Sequence, residues 1–317
     1  MEYLILILSL AGIVLGADFL VKGAVVVARK CRVSSFVIGA VIVGIGTSLP
    51  ELVVSTVGAI GGNSEVAIGN VVGSNIFNVF AILGLTALFF PIAVSRENMK
   101  FEIPFCIAVS VLLMLLVYNF FVGGEPRLGR WDGAALLLVF TSFMWISLRR
   151  GKSSAATVGG SVEEENKSLW FAAFSILGGL AALIVSSNFF VDEAVAIARK
   201  LGVSDAFISI TLLACGTSLP ELAASVTAAV KKDTDMALGN IIGSNIFNVT
   251  MILGTASLIT PLTTGKIGLV DYGAMILAAV LPMIFGIRGK ITRIEGLLML
   301  LCYAAYTWYI VTYVMAV

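Results

Sequence analysis

GTSLPEL spans residues 46–52 and occurs a second time, unchanged, at residues 216–222. A longer segment, GNVVGSNIFNV at residues 69–79, returns as GNIIGSNIFNV at residues 239–249, again 170 positions further along the chain. Because both segments repeat at one offset, the chain is predicted to consist of two related halves. The repeated residues are largely polar within apolar surroundings, and this contrast favours a shared site over a purely structural duplication.

The sequence around the repeats is that of a membrane protein. Hydrophobic residues make up 59% of the 317 residues, charged residues make up 12%, and the mean hydropathy is +1.05. Soluble proteins average about 45–50% apolar and about 25% charged residues. The composition therefore argues against a soluble enzyme, a nucleic-acid-binding protein and a disordered chain. The formal net charge of +1 likewise gives no attraction to nucleic acid.

The length of the apolar segments predicts an all-α integral membrane protein with ten transmembrane helices, because a bilayer core takes about 20 apolar residues per helix. The first segment is interpreted as a transmembrane helix and not as a cleaved signal peptide, since no basic residues precede it. The predicted spans are residues 3–27, 35–60, 66–90, 102–122, 133–149, 169–191, 206–230, 236–260, 267–287 and 294–316.

Each half contains five predicted spans, in residues 1–149 and 168–317, joined by a polar linker at 150–167. Since five is odd, the second half is predicted to enter the membrane from the opposite side, which makes the halves two inverted five-helix repeats. Secondary transporters are often built in this way, with the substrate site near the midplane. The loops after odd-numbered spans carry 14 basic residues against 5 in the others, which predicts that the odd loops and the linker are cytoplasmic and that both termini lie outside.

Three carboxylates, Asp18, Glu51 and Glu221, fall well inside predicted spans. An acidic residue at the bilayer centre costs about 2.5–3.5 kcal/mol on insertion scales, so each one needs a partner or a function. Glu51 and Glu221 occupy equivalent positions in the two halves and are predicted to meet at the midplane. The repeat counterpart of Asp18 is Asn188, and we expect Asp18 to be satisfied by a neighbouring helix.

The residues around the two glutamates predict a lining of oxygen atoms. Pro50 and Pro220 are predicted to break the second and seventh spans, and backbone carbonyls freed inside a membrane must line a cavity or bind something. The third and eighth spans add a Ser and an Asn four residues apart, hence on one helix face. Asn75 and Asn245 lie off that face and are predicted to serve helix packing. The candidate ligands are Gly44, Thr47, Ser48, Ser74, Asn78, Ala214, Thr217, Ser218, Ser244 and Asn248.

Two carboxylates among neutral oxygens form a ligand set suited to a hard cation. The sequence has no histidine, and its cysteines are scattered, which argues against zinc, copper and iron. Two negative charges balance one divalent or two monovalent ions, so the pattern predicts exchange of Ca²⁺ against Na⁺ or H⁺. A cation channel and an intramembrane protease with Glu51 and Glu221 as its acid pair are the alternatives from other classes.

The doubled motifs resemble those of the calcium/cation antiporter superfamily, specifically the microbial Na⁺/Ca²⁺ exchangers, over essentially the whole chain. The resemblance implies alternating access, with four cation sites near the glutamates and with the first and sixth spans sliding past them. It implies a Ca²⁺ site formed by Glu51, Glu221, Thr47 and Thr217. It implies flanking Na⁺ sites formed by Gly44, Thr47, Ser48 and Ser74 on one side and by Ala214, Thr217, Ser218 and Ser244 on the other, together with Glu51, Glu221, Asn78 and Asn248.

The resemblance also sets expectations about partners and location. It implies an antiporter and not an enzyme, in a prokaryotic cell membrane, with Ca²⁺, Na⁺ and the lipid bilayer as partners and with no cofactor or obligatory protein partner. Several relatives, including the potassium-dependent branch, carry aspartate where this chain has Asn248. The asparagine removes a possible third negative charge, which argues against potassium co-transport and leaves the Na⁺ stoichiometry open. A Ca²⁺/H⁺ antiporter of the same superfamily is the nearest alternative, although the number of neutral oxygen ligands favours Na⁺.

Overall fold

The computed structural model describes residues 2–119, 125–151, 167–201 and 216–314. Within these ranges the protein is helical apart from four strands of two residues each. Eight helices are long and apolar enough to cross a membrane. They are α1 (Glu2–Cys31), α4 (Ser64–Phe89), α5 (Asn98–Val117), α6 (Arg130–Gly151), α7 (Leu169–Lys200), α9 (Thr234–Ile259), α10 (Leu269–Gly286) and α11 (Arg293–Thr312).

A ninth crossing is a broken one. The helices α2 (Ser35–Thr47) and α3 (Leu49–Ile60) meet at an angle of 47°, as the break predicted at Pro50 requires. The predicted seventh span is described only from residue 216, where the 12-residue helix α8 (Leu219–Val230) forms its second part. The count of ten spans and the inversion of the halves therefore stay predictions, while an all-helical membrane protein is confirmed.

Both helices that follow the motif begin in the same way. Ser48 and Ser218 have nearly identical backbone angles, φ −84°, ψ 11° and φ −92°, ψ 8°, and a proline occupies the first turn that follows. Proline is tolerated there because the first N–H groups of a helix have no intrahelical partner. The break thus places one glutamate, Glu51 or Glu221, in the first turn of each new helix.

The described helices contain five wide π turns: one begins α5, one lies at the end of α11, and three lie inside a helix. These three lie at Gly39–Val43 in α2, at Asn78–Leu83 in α4 and at Asn248–Ile252 in α9. Two of the three begin at the asparagine that the repeated motif places last but one. A π turn is often found at a functional site, and the turns at Asn78 and Asn248 recur at equivalent positions of the two halves.

The helices form a buried centre with a pair of long helices beside it. α4 and α9 are the most buried of the described spans, and they pack against the broken helices. α1 lies along α7 over a long contact, made possible by glycine: a Cβ atom on Gly179 would lie 2.6 Å from the Leu20 nitrogen. The helix α7 continues to Lys200, beyond the predicted end at residue 191, because charged residues end the apolar run without ending the helix.

The four short strands join the two halves. β1 (Ile92–Ala93) pairs antiparallel with β4 (Lys290–Ile291), and β2 (Arg127–Leu128) pairs antiparallel with β3 (Leu262–Thr263). β1 and β3 are repeat equivalents that follow α4 and α9. In each half, the strand after the central helix therefore pairs with a strand of the opposite half. This reciprocal pairing holds the halves together at positions away from the glutamates.

Candidate cation site

The two glutamates are buried and are bound by residues of the opposite half. Glu51 is 1% exposed and Glu221 is 0% exposed. The Ser48 hydroxyl donates to Glu221 Oε1 at 2.8 Å, and the Ser218 hydroxyl donates to Glu51 Oε1 at 3.2 Å. Because each serine immediately precedes the helix whose first turn carries a glutamate, the crossed hydrogen bonds bring the starts of α3 and α8 to one place.

The second oxygen of each carboxylate is left free. Oε2 of Glu51 and Oε2 of Glu221 are buried without a hydrogen-bond partner among the described residues. Within the same ranges no lysine or arginine forms an ion pair with either glutamate. Burying a charge is costly unless it is paired, so the site either takes up positive charge from outside the protein or holds protons.

Further unpartnered oxygens accompany the carboxylates. Asn78 and Asn248 are at most 1% exposed, and the Oδ1 atom of each has no hydrogen-bond partner among the described residues. The same is true of the hydroxyls of Ser74 and Thr217. Buried polar atoms are nearly always paired, so a group of unpaired oxygens indicates a ligand of positive charge. Such a donor set fits a hard cation.

The other predicted ligands in the first half are connected differently from the sequence-based grouping. The resemblance implies a group of Gly44 with Ser74 of its own half, but the Gly44 carbonyl accepts the Ser244 hydroxyl of the other half at 3.2 Å. The Thr47 hydroxyl shares its one proton between the Gly44 carbonyl at 3.4 Å and Asn240 Oδ1 at 3.3 Å. The reason is that the broken helix α2 packs against α9 of the opposite half. Ala214 lies outside the described residues.

Two asparagines that the sequence analysis missed hold the glutamate backbone. Asn70 Nδ2 donates to the Glu51 carbonyl at 3.3 Å and to the Ser55 hydroxyl at 3.0 Å. The same geometry recurs in the second half at 3.2 and 2.8 Å, where the three residues are Asn240, Glu221 and Ser225. The signal was available, since both asparagines belong to the repeated motif and both serines repeat at the same offset.

The residues expected to be structural are found in structural contacts. Asn75 Nδ2 donates to the Asn245 carbonyl at 3.1 Å, and Asn245 Nδ2 donates to the Asn75 carbonyl at 3.2 Å, which confirms their role between helices. Asp18 forms ion pairs with Lys22 at 2.6 Å and with Lys231 at 2.7 Å. The expectation that a neighbouring helix satisfies Asp18 is therefore confirmed.

Comparison with protein families matches most of the chain. Residues 1–149 and 171–312 match the family described as "Sodium/calcium exchanger protein". The chain is 35% identical to sodium/calcium exchanger MaX1 of Methanosarcina acetivorans, over 96% of this chain and 97% of that protein. It is 34% identical to inner membrane protein YrbG of Escherichia coli, over 87% and 86%.

A solved structure agrees with this match. The sodium-calcium exchanger NCX_Mj, soaked with 10 mM Na⁺ and zero Ca²⁺, superimposes with a TM-score of 0.83 at 32% sequence identity. The superposition covers 98% of both chains. The described helices therefore have the fold of this exchanger over nearly its whole length.

Proposed function

We propose that this chain, which belongs to the sodium/calcium exchanger protein family, exchanges Na⁺ for Ca²⁺ across a prokaryotic cell membrane at a site formed by Glu51 and Glu221. Membership of the family makes it a transmembrane cation antiporter, and relatives that it matches over most of their length are bacterial and archaeal. The proposal goes further in naming Na⁺ as the counter-ion and the two glutamates as the site.

The crossed bonding of Glu51 and Glu221, with one oxygen of each left unpartnered, is the observation that carries this proposal. The two buried carboxylates form no ion pair with a described lysine or arginine. Their two negative charges are what one Ca²⁺ or two Na⁺ would balance. Since both ions compete for the same carboxylates, loading one requires release of the other, and that competition produces exchange.

The proposed ligands follow the sequence-based sets with the crossed grouping taken into account. Ca²⁺ is bound by Glu51, Glu221, Thr47 and Thr217. One Na⁺ group combines Gly44, Thr47 and Ser48 with Ser244, and the other combines Ala214, Thr217 and Ser218 with Ser74. The glutamates and the two midplane asparagines, Asn78 and Asn248, complete these sets. All are oxygen ligands, as hard cations prefer.

Alternating access gives this site a route to both sides of the membrane. We propose that the halves are inverted repeats, which is supported by the reciprocal strand pairs and the crossed serine–glutamate bonds. The paired helices α1 and α7 then slide along the buried centre. An ion shifts the balance between inward-open and outward-open states only through its different affinity for the two, so Na⁺ and Ca²⁺ drive the cycle by replacing each other.

The test is Ca²⁺ uptake into proteoliposomes loaded with Na⁺ and diluted into Na⁺-free buffer, beside a matched set with a pH gradient and no Na⁺. Uptake that requires the Na⁺ gradient and is lost in Glu51→Gln supports the proposal. Uptake driven by the pH gradient alone would replace Na⁺ by H⁺ as the counter-ion. Uptake that Glu51→Gln leaves unchanged would show that the site is elsewhere.

A further inference from the structure

We propose that Asn75 and Asn245 are positioning residues that turn the amide oxygens of Asn248 and Asn78 toward the transported ion. Each acts across the interface between the halves. Asn248 Nδ2 donates to Asn75 Oδ1 at 3.1 Å, and Asn78 Nδ2 donates to Asn245 Oδ1 at 3.0 Å. The inference rests on the proposed function, because the ion concerned is the one that the glutamates bind.

The direction of each amide follows from a chain of donors and acceptors. The Asn245 carbonyl can only accept, so the Asn75 atom that faces it must be Nδ2. The Oδ1 atom of Asn75 therefore faces the other way, where it can only accept from a nitrogen, Nδ2 of Asn248. Thus a backbone carbonyl in one half fixes the side-chain amide of a ligand in the same half by way of an asparagine in the other.

The consequence is an oriented oxygen at each π turn. With Nδ2 committed, the Oδ1 atoms of Asn78 and Asn248 are left buried and without a hydrogen-bond partner among the described residues. The π turn at Asn248 packs against α3, which carries Glu51, and the π turn at Asn78 packs against α8, which carries Glu221. The two oxygens are thereby fixed on turns that pack against the helices carrying the carboxylates, and we infer that they are oriented before an ion arrives.

The same arrangement requires a hydrogen-bond donor at positions 78 and 248, which the amides of this chain supply. An ionised aspartate has only acceptors, so at residue 248 it would place one acceptor against another, Asn75 Oδ1. Asn75 cannot turn to relieve this contact, because its Nδ2 is bound to the Asn245 carbonyl. The pair Asn75 and Asn245 therefore accounts for a site with two carboxylates and two neutral amides.

The test is a double-mutant cycle on the Ca²⁺ dissociation constant of the purified full-length protein, measured by isothermal titration. We expect Asn75→Ala and Asn248→Ala each to raise the Kd about tenfold, which corresponds to about 1.4 kcal/mol. If Asn75 acts through Asn248, the double variant will bind like Asn248→Ala alone. Additive losses of about a hundredfold would overturn the inference. Asn245→Ala and Asn78→Ala form the mirror cycle.

A control separates positioning from general damage. Asn98 is 3% exposed and lies outside the site, so Asn98→Ala removes a buried amide and is expected to leave the Kd unchanged. A tenfold change in this control would overturn the assignment to Asn75. If Asn75→Ala does not fold, the mirror cycle decides by the same criterion. A wild-type protein that binds no Ca²⁺ overturns the proposed function, whereas wild-type binding that Asn75→Ala leaves intact overturns this inference alone.

Discussion

Replacing Glu51 by glutamine tests the site most directly, because the change keeps the shape of the side chain and removes one charge. Glu51 is 1% exposed, accepts one hydrogen bond from Ser218 and forms no ion pair with a described lysine or arginine. The variant therefore has two opposite consequences, one for the protein that holds Ca²⁺ and one for the protein that holds no ion.

The size of the effect on Ca²⁺ binding follows from the charge balance. With one carboxylate left, a bound Ca²⁺ keeps one uncompensated positive charge in a buried site. Removing one partner of a buried ion pair costs about 3–5 kcal/mol, which is about two to four orders of magnitude in Kd. Without an ion the sign reverses, because an amide replaces a buried charge, and we expect the ion-free variant to be at least as stable as the wild type.

Thermal unfolding with and without Ca²⁺ measures both consequences in one experiment. At a Ca²⁺ concentration about a hundredfold above its Kd, binding stabilises the wild type by about 2.7 kcal/mol. We expect a shift of at most about 0.4 kcal/mol for Glu51→Gln at that concentration. The exposed Glu65 supplies the control, since Glu65→Gln should keep the wild-type shift. A Glu51→Gln variant that Ca²⁺ stabilises as much as the wild type would refute the reasoning.

The remaining predictions concern the long helix pair beside the site. Gly179→Ala puts a Cβ against the backbone of α1 and should lower the free energy of unfolding by about 1–3 kcal/mol. Its exposed neighbour Gly178 has no described atom within 4 Å of a Cβ, so Gly178→Ala should change that free energy by at most about 0.5 kcal/mol. Thermal unfolding of the two variants makes the comparison. Lys231→Gln removes the ion pair that ties Asp18 on α1 to the end of α8. The two side chains are partly exposed, and solvent-accessible pairs contribute about 0.2–1 kcal/mol. We therefore expect a turnover up to about fivefold faster with an unchanged KM for Ca²⁺, and a slower turnover would contradict the sliding of α1.

Features that repeat or that depend on one segment could be predicted from the sequence. The apolar runs located the described spans, because a membrane imposes length and composition on each helix by itself. Pro50 predicted the break in the second span, since a proline acts on its own helix. The repetition of Glu51 and Glu221 within polar motifs predicted that these two carboxylates come together between the halves. Their role as the ion site stays a prediction.

Contacts between the halves could not be predicted in the same way. The spacing of Ser74 and Asn78 places them on one helix face, but it does not say which helix of the other half lies opposite. The pairing of Gly44 with Ser244, and of Ser48 with Glu221, depends on how α2 and α3 pack against the second half. The direction of each ligand amide depends on a chain of three groups, a backbone carbonyl and two asparagine amides, that no local pattern contains.

The crossed serine–glutamate bonds also have a consequence for biogenesis. Their partners are 173 and 167 residues apart in the chain, and a chain is made from its N-terminus. Glu51 therefore enters the membrane long before Ser218 exists, and the first half must carry its acidic group through insertion without the hydroxyl that later binds it. Insertion of the second half closes both bonds, so it is the step at which an inserted polypeptide becomes a protein able to hold an ion.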